Sequence, residues 1–445
     1  MRNPVLAGFN PDPSIVRGAD AWYLVTSTFE YLPALPIYRS TDLEHWNPVG
    51  HVVTRPEQLS LENAGTPGGV WAPTLRYRDG LYYAIVSVMF PARCVLFTAT
   101  DPAGPWSEPI ELPGVTGIDP DLAWDENGVA HVTYAGFGHP IRQVTVDLTT
   151  GAALTEPIDL WSGTLYEPEG PHLYQRDGWW YLLIAEGGTE RGHAVSVARG
   201  RSVSGPFEGY AGNPVLTARS TNNPVQNLGH ADLVETPDGT AMVLLGVRPI
   251  GFTHAYSPLG RETFLTRVDW VEGWPIPRPL GPVEVASETL AVDFTHEAEL
   301  DNPGWIAVRQ LPSSVGTVHP DAACLWIAAT GNDLAHPLPA FIGQRQRHHV
   351  STTSVVLDAT NGKGGLAGRH RGTEWFALEA SPDGTVTAIA TLSGVQQRWQ
   401  HTFAAGPIEL SIETHLPVGM QPGGDRIRLI AAQGETQVKL AELDG

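Results

Sequence analysis

The stretch HLYQRDGWWYLLIAEG, residues 172–187, decides the fold. Two runs rich in apolar and aromatic residues flank the pair Asp177-Gly178. Asp-Gly suits a two-residue hairpin turn, because both central residues of such a turn take positive φ. The run after the turn, WWYLLIAE, is bounded by glycines and too short for an ordinary helix, so it reads as a buried strand. The same arrangement recurs as SIVRGADAWYLVTST (14–28), TLRYRDGLYYAIVSV (74–88), DLAWDENGVAHVTYAG (121–136) and DLVETPDGTAMVLLGV (232–247). The turn residues Asp20, Asp79, Asn127, Asp177 and Asp238 are separated by 59, 48, 50 and 61 residues. That interval accommodates one four-stranded sheet per copy, the unit of a β-propeller. No long helical periodicity interrupts the series. The expectation is an all-β chain that begins as a five-bladed β-propeller; the competing arrangement is a set of unrelated hairpins in a sandwich.

Eight residues before each turn stand Asp12, Trp71, Asp119, Glu169 and His230, one per repeat. In a propeller, equivalent positions at the start of each inner strand converge on the central axis. This register therefore gathers three carboxylates, an imidazole and an indole at one end of the channel. Buried carboxylates repel one another and lose hydration, so stability does not account for them. Any one of them alone reads as an ordinary turn carboxylate; the shared register is what argues otherwise. Hydrolysis of a glycosidic bond needs one protonated carboxyl, to protonate the leaving oxygen, and one ionised carboxyl, to attack the sugar or activate water. Asp12, Asp119 and Glu169 supply these groups, with a further negative charge raising the pKa of the acid. Trp71 offers a flat face to the apolar side of a sugar ring. His230 is suited to orient a carboxylate or help hold a cation, and equally to a structural hydrogen bond. Spacing alone does not assign acid and base.

Composition narrows the partners. Lys and Arg total 27 against 48 Asp and Glu, a formal charge of -21, which repels phosphate backbones and anionic membranes. Neither nucleic acid nor membrane is expected as a partner, and a small neutral oligosaccharide is. Cys94 and Cys324 form no metal-type spacing. The longest apolar runs, such as YYAIVSVMF (82–90), are too short to span a bilayer. The opening residues MRNPVLAGFNPDPS carry no basic segment followed by an apolar stretch, so a cytoplasmic location is expected. Homo-oligomer formation stays open.

The motifs GFNPDPS (8–14), WAPTLRY (71–77), GIDPDL (117–122), EGPHLY (169–174), AEGGTERGHAVSVARG (185–200), NLGHADL (227–233), SPLGRET (257–263) and WVEGWP (270–275) make residues 1–290 resemble the family-43 glycoside hydrolases, in the β-xylosidase and α-L-arabinofuranosidase group. The resemblance implies Asp12 as general base, Glu169 as general acid and Asp119 as the residue that tunes and orients the acid. It implies that Arg261 contacts the sugar and that Phe29 and Tyr31, in TFEYLP, contribute an aromatic wall; core packing is the alternative for both. It implies inversion of configuration, for which carboxyl separations of roughly 6.5–9.5 Å are usual. It also implies a Ca2+ ion near His230, held mostly through water because no EF-hand-type loop is present. His254 and Tyr256 are further candidates at the entrance.

Beyond GPVEVASETLAVDFTHEAELD (281–301) the hairpin pattern stops. Short alternating segments follow, among them CLWIAAT (324–330), HVSTTSVVLDA (349–359), WFALEAS (375–381), TVTAIATL (385–392) and RIRLIAAQ (426–433). They predict a C-terminal β-sandwich. The expected division is therefore 1–287 for the catalytic propeller and 288–445 for the accessory sandwich. His348 and His349 are expected on one strand, facing opposite ways and so a poor metal pair.

Three other functions compete. A sugar-binding propeller without activity has no need of the carboxylate register. A fructan-cleaving enzyme of similar shape carries a glutamate followed by cysteine, which this chain lacks. An α-L-arabinofuranosidase is the close neighbour of the favoured reading, an exo-acting inverting enzyme that releases terminal xylose from short xylo-oligosaccharides.

Overall fold

The computed structural model describes residues 2–419 and 423–445, and the fold is all-β. The chain divides into two compact units. The first comprises Met1–Arg248, Gly260–Val292 and Leu300–Leu311; the second comprises Pro249–Leu259, Asp293–Glu299 and Pro312–Gly445.

The first unit carries five antiparallel sheets in chain order among its described residues. Their innermost strands are Ser14–Arg17, Gly69–Arg78, Ile118–Trp124, Glu169–Arg176 and Gln226–Thr236, and each pairs with the strand after its turn. Asp79-Gly80 and Asp177-Gly178 both take positive φ, as the hairpin reading requires. The strands after the turns are buried on both faces, which explains why Trp179–Glu186 reads as a continuous apolar run instead of alternating. Side chains on a strand still alternate in direction. Tyr181 and Leu183 enter the cluster shared with the fifth sheet, while Leu182 and Ile184 enter the one shared with the third.

One apolar cluster lies between each consecutive pair of sheets, and a fifth closes the circuit. Val25 and Ile37 pack with Val86 and Phe97, Ile85 and Leu96 with Leu122 and Val132, and so on round. The last cluster sets Val243 and Leu265 of the fifth sheet against Ile15 and Leu24 of the first. The five sheets therefore form a ring. The N-terminal segment strengthens the closure: the Asn3 side chain accepts from the Leu265 amide (2.8 Å) and donates to its carbonyl (2.9 Å).

A short strand, Ile306–Val308, returns to pair with Tyr31–Leu32. The following Arg309 donates from its backbone to the Glu30 carbonyl (2.7 Å) and from Nε to the Ala64 carbonyl (2.6 Å). This fixes the chain on the C-terminal side of Phe29.

The second unit contains two four-stranded antiparallel sheets. One runs Ser351–Leu357, Ile408–His415, Arg426–Gln433, Thr436–Asp444; the other runs Gly364–Arg371, Glu374–Ala380, Thr385–Leu392, Val395–Thr402. Leu410 and Leu429 of the first and Leu378 and Ala388 of the second share one core. His348 and His349 correct the sequence reading: they precede the strand that starts at Ser351, so strand alternation does not govern them.

Candidate active site

Four of the five residues, Trp71, Asp119, Glu169 and His230, sit at an irregularity of their strand, while Asp12 stands just ahead of the regular strand Ser14–Arg17. The register slips between Val70 and Pro73, between Ile118 and Asp121, between Glu169 and His172, and between Gly229 and Asp232. Such bulges re-aim a side chain that a regular strand would turn into the sheet. Asp12 (φ 55°), Asp119 (φ 54°) and His230 (φ 45°) all adopt left-handed backbone, and in the fourth sheet Gly170 (φ 54°) takes it instead of Glu169. Left-handed backbone costs on the order of 1–2 kcal/mol for a non-glycine residue. Its repetition at equivalent places marks strain held by the surrounding fold.

The residues named from the sequence come together. Asp12 is buried; its Oδ1 accepts from Arg261 Nη1 (3.0 Å) and its Oδ2 from Ser27 Oγ (2.6 Å), while His230 Nδ1 lies 3.9 Å from Oδ1. Burial pushes Asp12 up, but the Arg261 and His230 charges and the Ser27 hydroxyl outweigh it and hold the carboxyl below its usual range. Asp12 is thus built to stay ionised. Arg261 also donates to Thr189 Oγ1 (3.2 Å), and its guanidinium lies 5.4 Å from the centre of the Phe29 ring. Phe29 continues the aromatic surface to Trp71 at 6.2 Å and Phe9 at 5.8 Å, and Trp71 meets Phe90 edge-on at 6.5 Å. Phe29 and Trp71 are half-buried, each leaving part of a ring available to a ligand.

Asp119 and Glu169 differ from each other. Asp119 is buried and accepts one backbone bond at Oδ2, from Gly170 N–H (3.1 Å). Burial, then the charges of Glu169 and Asp12, push it well above the usual carboxylate range. Burial also raises Glu169, but the approach of His193 and the charges of His230 and His193 prevail and hold it down. The sequence reading has a negative Asp119 keeping the proton on Glu169. Asp119 is the deeper of the two and, among the described residues, has no cationic side chain hydrogen-bonded to it. His230 is itself held below the ordinary histidine range, by burial first, against the pull of Asp12 and Glu169. At neutral pH its charge is gone, and with it one of the forces that keep Glu169 ionised.

Three further residues complete the cluster without having been singled out from the sequence. Ser27 and Thr189 bind the Asp12–Arg261 pair as above. His193 is fully buried, with Nε2 3.6 Å from Glu169 Oε1. The only prior signal for His193 and Thr189 was their place in the motif 185–200. Glu186 fixes the approach to Glu169: it accepts from Thr164 N (2.7 Å), Thr164 Oγ1 (2.6 Å), Leu165 N (2.9 Å) and the Ser196 hydroxyl. Tyr31 lies in the short strand paired with Val308. His254 and Tyr256 belong to the segment Pro249–Leu259 of the second unit.

The expected calcium ion meets an unsuitable donor set. Calcium takes six to eight oxygen ligands. His230 offers nitrogen and is packed against Gly170, and both oxygens of Asp12 are engaged by Arg261 and Ser27. Among the described residues no three His, Cys, Asp or Glu groups are placed to hold an ion. The chemistry assigned to these residues runs through no metal.

Gly229 is where one added methyl group would do most harm. A Cβ there would lie 2.3 Å from the His193 ring, which is walled in and has nowhere to go. Gly229→Ala is expected to displace His193 and Glu169 and to lower kcat/KM by about 10²-fold, as ångström-scale misplacement does. Steady-state kinetics beside a thermal melt tests this; unchanged kinetics would mean that the ring's position is immaterial.

Comparison with known proteins agrees with this geometry. Residues 1–275 match the family model described as glycosyl hydrolases family 43. A xylosidase/arabinosidase of Butyrivibrio fibrisolvens is 34% identical over 411 residues, 81% of this chain and 75% of that protein. A non-reducing end alpha-L-arabinofuranosidase of Bacteroides ovatus is 36% identical over 384 residues, 80% of this chain and 70% of that one. Among solved structures, a xylan beta-1,4-xylosidase from Bacillus halodurans superposes with a TM-score of 0.89 at 27% identity, covering 100% of this chain and 92% of that one. The family match takes in every member of the cluster from Asp12 to Arg261, and the chain belongs to the glycosyl hydrolases of family 43.

Proposed function

We propose that this glycoside hydrolase is exo-acting and inverting, and that it releases terminal xylose from short xylo-oligosaccharides. The five sheets are read as the blades of a five-bladed β-propeller whose axial mouth is the active site, and the two sheets of the second unit as a β-sandwich. The observation that carries the reading is the contrast between carboxyl groups in one cluster. Asp12 is clamped in its ionised form by Arg261 and Ser27, while Asp119 and Glu169 together retain a proton. Asp12 then takes a proton from water as that water attacks the anomeric carbon, and Glu169 gives a proton to the departing oxygen. A sugar settling against Phe29 and Trp71 covers the partly exposed Glu169 side chain. Loss of water there disfavours its ionised form and moves the shared proton onto it. Arg261 lies between Asp12 and the aromatic surface, where it meets sugar hydroxyls.

A second reading, release of terminal arabinofuranose, is favoured by the Bacteroides ovatus relative. Hydrolysis of nitrophenyl β-D-xylopyranoside and α-L-arabinofuranoside separates the two, and NMR of the first-formed sugar reports its anomeric configuration. The expected result is faster turnover of the xyloside, with inversion, undiminished by a chelator. Turnover confined to the arabinoside would overturn the xylose assignment. Retained configuration would overturn the roles of Asp12 and Glu169, and loss of activity on chelation, restored by Ca2+, would bring an ion into the mechanism.

A further inference from the structure

His193 Nε2 is a fully buried polar atom with no hydrogen-bond partner among the described residues, and it faces Glu169 Oε1 at 3.6 Å. We propose that His193 is a positioning residue for the acid: it shares one proton with Glu169 and so keeps that proton at the site to a higher pH than a lone carboxyl would. The proposal rests on Glu169 being the acid.

The other ring nitrogen settles the tautomer. Nδ1 lies 3.0 Å from the Asn227 carbonyl, which only accepts, so Nδ1 carries hydrogen. In the neutral ring Nε2 is then a bare lone pair, and it gains hydrogen only when the ring becomes charged. A lone pair set against an ionised carboxylate is repulsive. The favourable states of the couple therefore hold one proton: protonated Glu169 against neutral imidazole, or ionised Glu169 against imidazolium. Two groups coupled in this way titrate together, and the proton they share is lost later than either would lose it alone.

The setting keeps the couple intact. The ring lies against Gly229, where any Cβ would collide with it, and the His193 backbone carbonyl accepts from Thr217 Oγ1 (2.8 Å). The titratable groups that face it are Glu169 from the fourth sheet, His230 from the fifth and Asp12 from ahead of the first, with Asp119 and Arg261 behind them. With one Glu169 oxygen directed at His193, the other is left for the glycosidic oxygen. The protons balance. The leaving oxygen takes one from Glu169 as its bond to the anomeric carbon breaks. The attacking water gives one to Asp12, and that proton returns through solvent to the couple when the products leave.

Two variants test this. His193→Gln keeps a polar group near the place of Nε2 without titrating, and His193→Phe fills the slot. In each, the basic limb of the kcat/KM profile should move to lower pH, by on the order of one unit, on a substrate whose leaving group needs a proton. On an activated leaving group the limb should move less. A uniform drop with the limb in place in both variants would reduce His193 to packing and overturn the proposal. In the unmodified enzyme, the 15N shifts of the His193 ring should titrate with the midpoint of that limb; a ring in one unchanging state across the limb overturns it independently of any variant's folding. Failure of the acid assignment looks different, since Glu169→Ala would then show no dependence on leaving group.

Discussion

Glu169→Ala should lose about 10²–10⁴-fold in kcat on xylosides whose leaving alcohol must be protonated, and should regain most of that on an activated phenol. Asp12→Ala should lose as much on both. The difference follows from what each carboxyl does in the transition state. Breaking the bond to an ordinary sugar hydroxyl leaves charge on a basic oxygen, which needs the proton of Glu169. A nitrophenolate carries that charge itself. No leaving group replaces the base, because water must be deprotonated in every case, and in the proposed mechanism that task falls to Asp12, which Arg261 at 3.0 Å and Ser27 at 2.6 Å hold ionised. Measuring kcat for both variants on xylobiose and on nitrophenyl xyloside decides the matter. Equal losses on both substrates for Glu169→Ala would remove it as the acid.

The cluster was legible in the sequence because two regularities coincide. Asp-Gly turns announce the hairpins, and a fixed offset of eight residues from each turn leads to the axial position. That offset found Asp12, Trp71, Asp119, Glu169 and His230. It worked because four of the innermost strands share a local bulge at the same distance from the turn, and the first carries Asp12 just ahead of its start. Residues that reach the cluster from elsewhere had no such marker. Ser27 follows the second strand of its sheet, and Thr189 and His193 lie on a connection; their role depends on which loops the ring brings together. The contrast in surroundings between the two carboxyls was also out of reach. It depends on Asp119 being the deeper carboxyl and on a histidine standing beside Glu169, facts of burial that no spacing contains.

Arg76→Met should destabilise the protein by about 3–5 kcal/mol, because it strands two buried charges. Below the axial residues, each innermost strand contributes to one polar network. Arg76 donates to Asp121 Oδ1 (2.6 Å) and Asp232 Oδ2 (3.1 Å), and its Nη2 lies 3.0 Å from His172 Nδ1. Asp232 also accepts from Ser14 Oγ (2.6 Å) and Tyr174 Oη (2.5 Å), and Asp121 from Leu173 N–H (2.8 Å). Every one of the five sheets thus contributes to this network, and Arg76 is the cation on which both aspartates depend. Burial pushes both aspartates up, yet the Arg76 charge, followed by His172 and the Leu173 N–H, holds Asp121 below its ordinary value, and the Arg76 charge, followed by His172 and the Ser14 and Tyr174 hydroxyls, holds Asp232 down to about 2. Both titrate lower folded than unfolded, where aspartate sits near about 3.9. Their contribution is therefore in full above that value, and that of Asp232 is lost as pH falls through about 2. Without Arg76 burial dominates, and the carboxyls of the variant take up protons at higher pH than those of the native protein. The deficit should accordingly be largest at pH 7 and shrink toward pH 4, as the variant's carboxyls become neutral while those of the native protein stay charged. Urea unfolding of both proteins at several pH values measures it. A deficit that does not change with pH would mean that Arg76 acts by filling space, and the network would then hold the ring together by shape instead of charge.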